Sequence, residues 1–192
     1  MLIVVRHGRT EANAAGRLLG RGDPGLDELG RRQAEALRSV VAGASRVVCS
    51  PLLRTRETAA ALGLPVTIDE RWIEVDYGIL EGEPFRDLSP EILSQWMSDP
   101  GFAPEGGESI AALGVRVRAA CDDLAEEASE RDIVVVSHVS PVKAAVAWAL
   151  DVGDEITWRL YVAPASVTKV AVGPVRRSLH LFNAQDHLDG LA

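Results

Sequence analysis

At 192 residues the chain is long enough to enclose a sizeable core within one domain. A hydrophobic share of 47% with 25% charged residues is ordinary for a globular protein, and no apolar run approaches the roughly 20 residues that span a bilayer. The formal net charge of −8 weighs against a nucleic-acid partner, so any anion site has to be a local cationic pocket in an acidic protein.

The first strand-like run comes at once. Residues 1–5 are apolar and stop on Arg6, His7 and Gly8, the pattern of a buried strand that delivers its last residues to a sheet edge. In open α/β sheets ligands bind at the carboxyl ends of strands, so this position suits chemistry. Gly8 permits a sharp turn and a close backbone approach to a ligand. Arg6 brings a planar donor fork that matches phosphate oxygens. His7 beside it can attack phosphorus if one ring nitrogen keeps a free lone pair. Taken alone, the same residues also suit a strand-end histidine bonded to a carbonyl, with solvated arginines around it.

Residues 14–24 read as a loop carrying Arg17, Leu18, Leu19, Gly20 and Arg21. Over residues 27–42, Leu29, Leu37, Val40 and Val41 mark an apolar stripe, which predicts an amphipathic helix capped by Asp27. Residues 46–49 predict a second strand ending on Ser50 and Pro51, and residues 52–62 a helix with Arg54 in its first turn. A helix N-terminus favours an anion at that place, although a surface pair between Arg54 and Glu57 is the alternative. A short strand over 65–68 follows, and then a segment, 72–82, in which Glu74, Asp76 and Glu81 punctuate apolar residues.

Residues 90–99 predict a short helix with Ile92, Leu93, Trp96 and Met97, broken by the prolines and glycine of 100–104. Ile110, Leu113, Val117, Cys121, Leu124 and Ala128 recur at helical spacing, so residues 109–131 predict a long amphipathic helix. Residues 133–137 are a fully apolar, central strand ending on His138. A helix is predicted over 141–150, with Ser140 as N-cap and Pro141 at its first position. Residues 166–172 and 178–182 predict a hairpin at a sheet edge, with His180 structural. The alternation of strands and helices implies a mainly parallel sheet covered on both faces. Cys49 and Cys121 are isolated thiols without metal-ligand spacing, expected as small buried residues of a protein in a reducing cytoplasm. No basic lead or cleavage site of a signal peptide is apparent.

Four blocks carry a family resemblance that spans roughly residues 3–183. Arg-His-Gly-Arg-Thr-Glu-Ala-Asn at 6–13 resembles the R-H-G-x-T-x-x-N signature of the histidine phosphatase superfamily, the phosphoglycerate-mutase-like proteins. Ser-Pro-Leu-Leu-Arg at 50–54, Glu74 ahead of Gly78, and Val-Ser-His at 136–138 resemble its later blocks, in family order. One departure stands out: Val139 follows His138 where the family most often has glycine, as in actinobacterial phosphatase domains, some fused to a ribonuclease H domain. No such second domain fits in this chain.

The resemblance implies a three-layer α/β/α sandwich with a mostly parallel sheet and an antiparallel edge, one domain over 1–192 with a lid insertion at about 83–108. It implies metal-independent hydrolysis of a phosphomonoester, a small phosphorylated metabolite, without a cofactor. His7 would be the nucleophile, Arg6, Arg54 and His138 would neutralise the phosphoryl oxygens, and Asn13 would help hold the phosphate. Glu74 would be the proton donor, Glu81 a brace for the loop, and the backbone of Leu19 and Gly20 would meet the phosphate, with Gly8 at the turn. A mutase of the same superfamily and a non-catalytic phosphate-binding or scaffolding member are the alternatives. Against the mutase, residues 76–108 carry one basic residue, Arg86, beside Asp76, Glu81, Glu83, Asp87, Glu91, Asp99, Glu105 and Glu108. A second anionic group held there would ask for cations.

Overall fold

The computed structural model describes residues 1–191. The Val- and Ile-rich runs form strands, where β-branched side chains pack well on a pleated surface. They are β1 (Leu2–Arg6), β2 (Arg46–Cys49), β3 (Val66–Ile68), β4 (Ile133–Ser137), β5 (Val167–Val172) and β6 (Arg177–Ala184). All six join one sheet in the order β3-β2-β4-β1-β5-β6. β3, β2, β4 and β1 run parallel, while β5 is antiparallel to β1 and β6 to β5. The register sets Arg6 opposite Ser137 and Cys49 opposite Val136, so the last residues of the central strands finish side by side.

Among the described residues six α-helices cover the sheet or edge the site: α1 (Glu11–Ala14), α2 (Glu28–Val40), α3 (Leu53–Ala61), α4 (Pro90–Ser98), α5 (Ile110–Glu130) and α6 (Val139–Leu150). Strand side chains alternate between faces. Leu2, Val4, Ile133 and Val135 join a core with Leu113, Val117 and Cys121 of α5 and Val142, Ala145 and Trp148 of α6. Ile3, Val5, Val134 and Val136 join a second core with Leu37 of α2 and Ala59 of α3. Two cores on opposite faces of one sheet make the α/β/α sandwich that the resemblance implies. Among the described residues no helix is long and apolar enough to cross a membrane.

Two helix boundaries follow the sequence reading, one of them at the predicted cap Asp27. Asp27 accepts from the Gly30 N–H at 2.7 Å and Ser109 from the Ala112 N–H at 3.1 Å. The start of α6 does not. It begins at Val139, with His138 as N-cap and no side-chain cap bond, two residues before the position predicted from Ser140 and Pro141. The Ser140 N–H is instead met by the Glu74 carboxylate, at 3.2 Å from Oε1. A carboxyl group from a distant segment therefore satisfies this first-turn N–H of the helix. Pro141 is tolerated because first-turn N–H groups have no intrahelical partner.

The buried stripe of α2 is also narrower than predicted. Gly30, Ala34 and Leu37 face inward, whereas Leu29 and Val40 are only half-buried. Small residues are needed here because α2 lies against the turn after β1. A Cβ on Gly30 would come within 2.0 Å of the Arg9 carbonyl oxygen, and one on Gly8 within 2.3 Å of that of Gly30.

Residues 83–108 are tied down. The Leu18 N–H donates to the Glu83 carbonyl at 2.8 Å and the Gly82 N–H to the Leu18 carbonyl at 2.9 Å. Trp96 of α4 is buried, edge-on to Tyr77 and Trp158 with centroid distances of 5.7 and 5.5 Å. Met97 faces outward, unlike the other apolar residues read on that helix.

Gly30→Ala should therefore lower stability by about 1–3 kcal/mol, the usual cost of overpacking. Gly43→Ala, with nothing within 4 Å of the added carbon, should stay within about 0.5 kcal/mol of wild type. Urea unfolding of the two variants measures the difference.

Candidate active site

β1 delivers Arg6 and then His7 to the carboxyl edge of the sheet, β2 delivers Ser50, and β4 delivers His138. His7 is pinned by its backbone: its N–H donates to the Ser137 carbonyl at 2.9 Å and its carbonyl accepts from the Ala165 N–H at 3.0 Å. The His7 ring nitrogen Nδ1 lies 2.7 Å from the Gly8 carbonyl oxygen. A carbonyl can only accept, so Nδ1 carries the proton and Nε2 is left as a bare lone pair. The Gly8 N–H is held by Thr58 Oγ1 at 3.1 Å, which fixes the turn that positions this carbonyl.

His138 is fully buried, edge-on to His7 with ring centroids 5.1 Å apart. Its Nε2 lies 2.7 Å from Ser50 Oγ, and its Nδ1 is buried without a partner. Arg6 donates from Nη1 to the Val162 carbonyl at 2.7 Å. Burial lowers its pKa to about 10 against the opposing pull of Glu74. Arg54 is fully buried rather than paired with Glu57, whose carboxylate accepts from the Leu26 N–H. Its guanidinium donates to the carbonyls of Gly22 and Gly20, each at 2.8 Å, and to that of Leu19 at 3.4 Å. The Nε groups of both arginines are buried without a protein partner.

Glu74 is buried, with Oε1 accepting from its neighbour Val75 N–H at 2.8 Å and from Ser140 N–H. Asn13 and Thr10 form a reciprocal cap of α1: the Thr10 N–H donates to Asn13 Oδ1 at 3.1 Å, and the Asn13 N–H to Thr10 Oγ1 at 3.2 Å. Glu81 braces the loop, accepting from the N–H groups of Gly20, Arg21 and Gly22. This corrects the expectation for Gly20, whose N–H is engaged by a carboxylate rather than offered to an anion. Leu19 does line the cavity.

A cavity of about 420 Å³ opens beside this cluster, lined on its polar side by Arg6, His7, Asn13 and Glu74. Arg54 and His138 stand outside its wall. Tyr77, Trp96, Trp158 and Tyr161 form aromatic walls. Two further cations line it, Arg17, which the sequence places on the 14–24 loop, and Lys143, which sequence reasoning did not single out. The signal for Lys143 was its place on the helix that follows His138, one turn past Val139. Ser50 was likewise passed over, although a hydroxyl at a strand end is well placed to orient a neighbouring ring. Arg56, Arg21 and His180 are exposed and lie outside the cavity wall. Cys49 and Cys121 are buried, and burial pushes the Cys49 thiol up to about 11. Among the described residues no group of His, Cys, Asp and Glu side chains is placed to hold a metal ion.

Burial is the main force holding His7 well below the ordinary histidine value, with Arg6 and then Arg54 adding to it. Burial does the same for His138, with Arg54, His7 and Arg6 next in order. Both rings are neutral in the native state, whereas the unfolded chain takes up protons near pH 6.5, roughly the unperturbed histidine value. Their contribution to stability is therefore complete above that pH and lost as pH falls toward the depressed native values. Thermal melts between about pH 7.5 and about pH 5 should record the loss, with a shallower slope in His138→Gln than in wild type.

Fold and cavity together define a class of α/β protein that gathers two buried histidines and two buried arginines at the carboxyl edge of parallel strands. The family model of the Histidine phosphatase superfamily (branch 1) matches residues 2–185, and the chain belongs to that family. A bifunctional protein of Mycobacterium tuberculosis is 38% identical over 177 residues, which are 87% of this chain and 49% of that protein. The chain thus spans about half the length of these curated mycobacterial relatives. Phosphoserine phosphatase 1 of Hydrogenobacter thermophilus is 32% identical over 197 residues, covering 97% of this chain and 93% of its own. The solved mycobacterial glucosyl-3-phosphoglycerate phosphatase with VO3 superposes with a TM-score of 0.87 at 31% identity, covering 96% of this chain and 98% of that one.

Proposed function

We propose that this chain hydrolyses phosphomonoesters of small metabolites in two steps through a phosphohistidine at His7. The observation that carries the reading is the His7 Nδ1–Gly8 carbonyl bond, which fixes the tautomer and leaves Nε2 unprotonated in the cavity wall. Further support comes from the neighbours, phosphatases named for phosphoserine and glucosyl-3-phosphoglycerate.

In the first step Nε2 attacks phosphorus in line, the bond from phosphorus to the ester oxygen breaks, and the Glu74 carboxyl gives its proton to the departing alkoxide. Arg6 and Arg54 spread positive potential and donors over the phosphoryl oxygens, neutral His138 can offer an N–H, and Asn13 contributes its amide. Positioning and electrostatics of this kind supply most of the catalysis in phosphoryl transfer. In the second step the Glu74 carboxylate takes a proton from water, whose oxygen attacks phosphorus. The bond to Nε2 breaks and returns the lone pair to the ring, and phosphate leaves. Because burial and the arginines keep His7 neutral, the nucleophile survives into acid solution.

His7→Ala should lose roughly ten-thousand-fold or more in turnover with its melting behaviour near that of wild type. Wild type quenched during turnover should carry an acid-labile phosphoryl group on His7. Turnover within tenfold of wild type in that variant would sink the mechanism.

Glu74→Gln separates the acid from its neighbours. An alkyl ester, whose leaving oxygen needs the proton, should slow by about a hundredfold or more. An activated aryl ester should show a burst of product followed by slow turnover, because phosphoenzyme breakdown lacks its base. A burst in Glu81→Gln instead, with Glu74→Gln normal, would transfer the role to the other carboxylate.

A further inference from the structure

The mechanism above uses Arg6, His7, Asn13 and Glu74 from the cavity wall and leaves two charged groups in that wall unexplained, Arg17 and Lys143, of which only the lysine is withdrawn from solvent. Lys143 lies on α6, three residues past Ser140 and four past Val139, so the three share one helix face. All three line the cavity. The lysine is half-buried, yet among the described residues it forms neither a salt bridge nor a hydrogen bond. Arg46, Arg71, Arg116 and Arg118, which are no more exposed than half, each hold a carboxylate at 3.1 Å or less. Burial pulls the Lys143 ammonium below its ordinary range, with Glu74 pulling the other way. Withdrawing such a group from water without a partner is unfavourable, and a bound counter-charge would relieve it.

We infer that Lys143 is the specificity-determining residue of this site, reading a carboxylate on the same small molecule whose phosphate meets His7. The inference rests on the phosphatase reading for the place of the phosphate. The surroundings decide the class of group. A second phosphate, with up to two charges and three oxygens, asks for several donors or an arginine fork. Lys143 shares the cavity wall with Leu18, Trp96, Ile110, Trp158 and Leu160, a lining that suits a single negative charge on an otherwise apolar or stacked body. Arg17 is exposed, and it gives one of its N–H groups, from Nη1, to the Gly82 carbonyl at 2.8 Å. A substrate bearing an ammonium at this point would meet like charge and be disfavoured. Arg86, the one basic residue of the acidic 76–108 segment, is exposed, so the cation comes from α6, outside the stretch in which it would be sought.

The experiment compares 3-phosphoglycerate with glycerol 3-phosphate, which share a three-carbon body and differ by a carboxylate in place of a hydroxymethyl group. Wild type should favour the carboxylate ester in kcat/KM. Lys143→Met should reduce that preference by about 10- to 100-fold, the worth of one charge-assisted hydrogen bond, chiefly through KM. Lys143→Arg should recover part of it. The same pair of ligands is titrated into His7→Ala and into His7→Ala with Lys143→Met, where the ratio of dissociation constants should move by the same factor without turnover. If wild type hydrolyses neither these esters nor an activated aryl phosphate, the phosphatase reading fails while the binding ratio still decides on Lys143. An equal loss for both ligands, or an unchanged ratio, in both Lys143→Met and Lys143→Gln would overturn the assignment.

Discussion

Two guanidinium groups are buried at the carboxyl edge of a sheet that is apolar on both faces, and each is held by backbone carbonyls rather than by a carboxylate in contact. Arg6 gives Nη1 to Val162, and Arg54 gives its fork to Gly20, Gly22 and Leu19. Carbonyl dipoles keep the arginines in place while cancelling little of their charge, so the net positive potential survives at the strand ends. That potential is what depresses His7 and His138 beyond the effect of burial alone. A carboxylate bound directly to either arginine would have stabilised the free protein more and left less field for a phosphoryl group.

The surrounding loops are shaped by the same need. The carbonyls that receive Arg54 belong to residues 19–22, a segment with no regular structure of its own, and Glu81 gathers the N–H groups of Gly20, Arg21 and Gly22 to keep it folded. Gly82 and Glu83 then zip to Leu18, so the segment that covers the cavity and the loop that holds Arg54 form one connected unit. Glu74 extends the network to the third side, since its carboxylate joins the start of α6 to the 72–82 segment. A change in the cover thus reaches the arginines through backbone hydrogen bonds rather than through distant packing.

Much of this was legible in the chain because it depends on local patterns. Strand ends at Arg6 and His138, the cap at Asp27, and the periodic face of α5 are set by residues within a few positions of one another. The bracing by Glu81 also followed the family pattern. What escaped was set across the fold: Ser50 beside His138 at a separation of 88 residues, and Glu74 in place of a local cap on α6 at 66. Gly20 was misread for the same reason, since only the arrival of Glu81 from 61 residues away decides where its N–H goes.

The sequence by itself determined the order of strands and helices, the residues at their ends, and the family to which those blocks belong. Periodicity and motif spacing are properties of the chain before it folds. The tertiary structure alone decided the tautomer of His7, the carbonyl cradle of Arg54, and the presence of Lys143 in a cavity whose cover is acidic. Each of these depends on which backbone or side-chain group meets a residue from a remote segment, and a buried polar group takes its protonation and its direction from that partner.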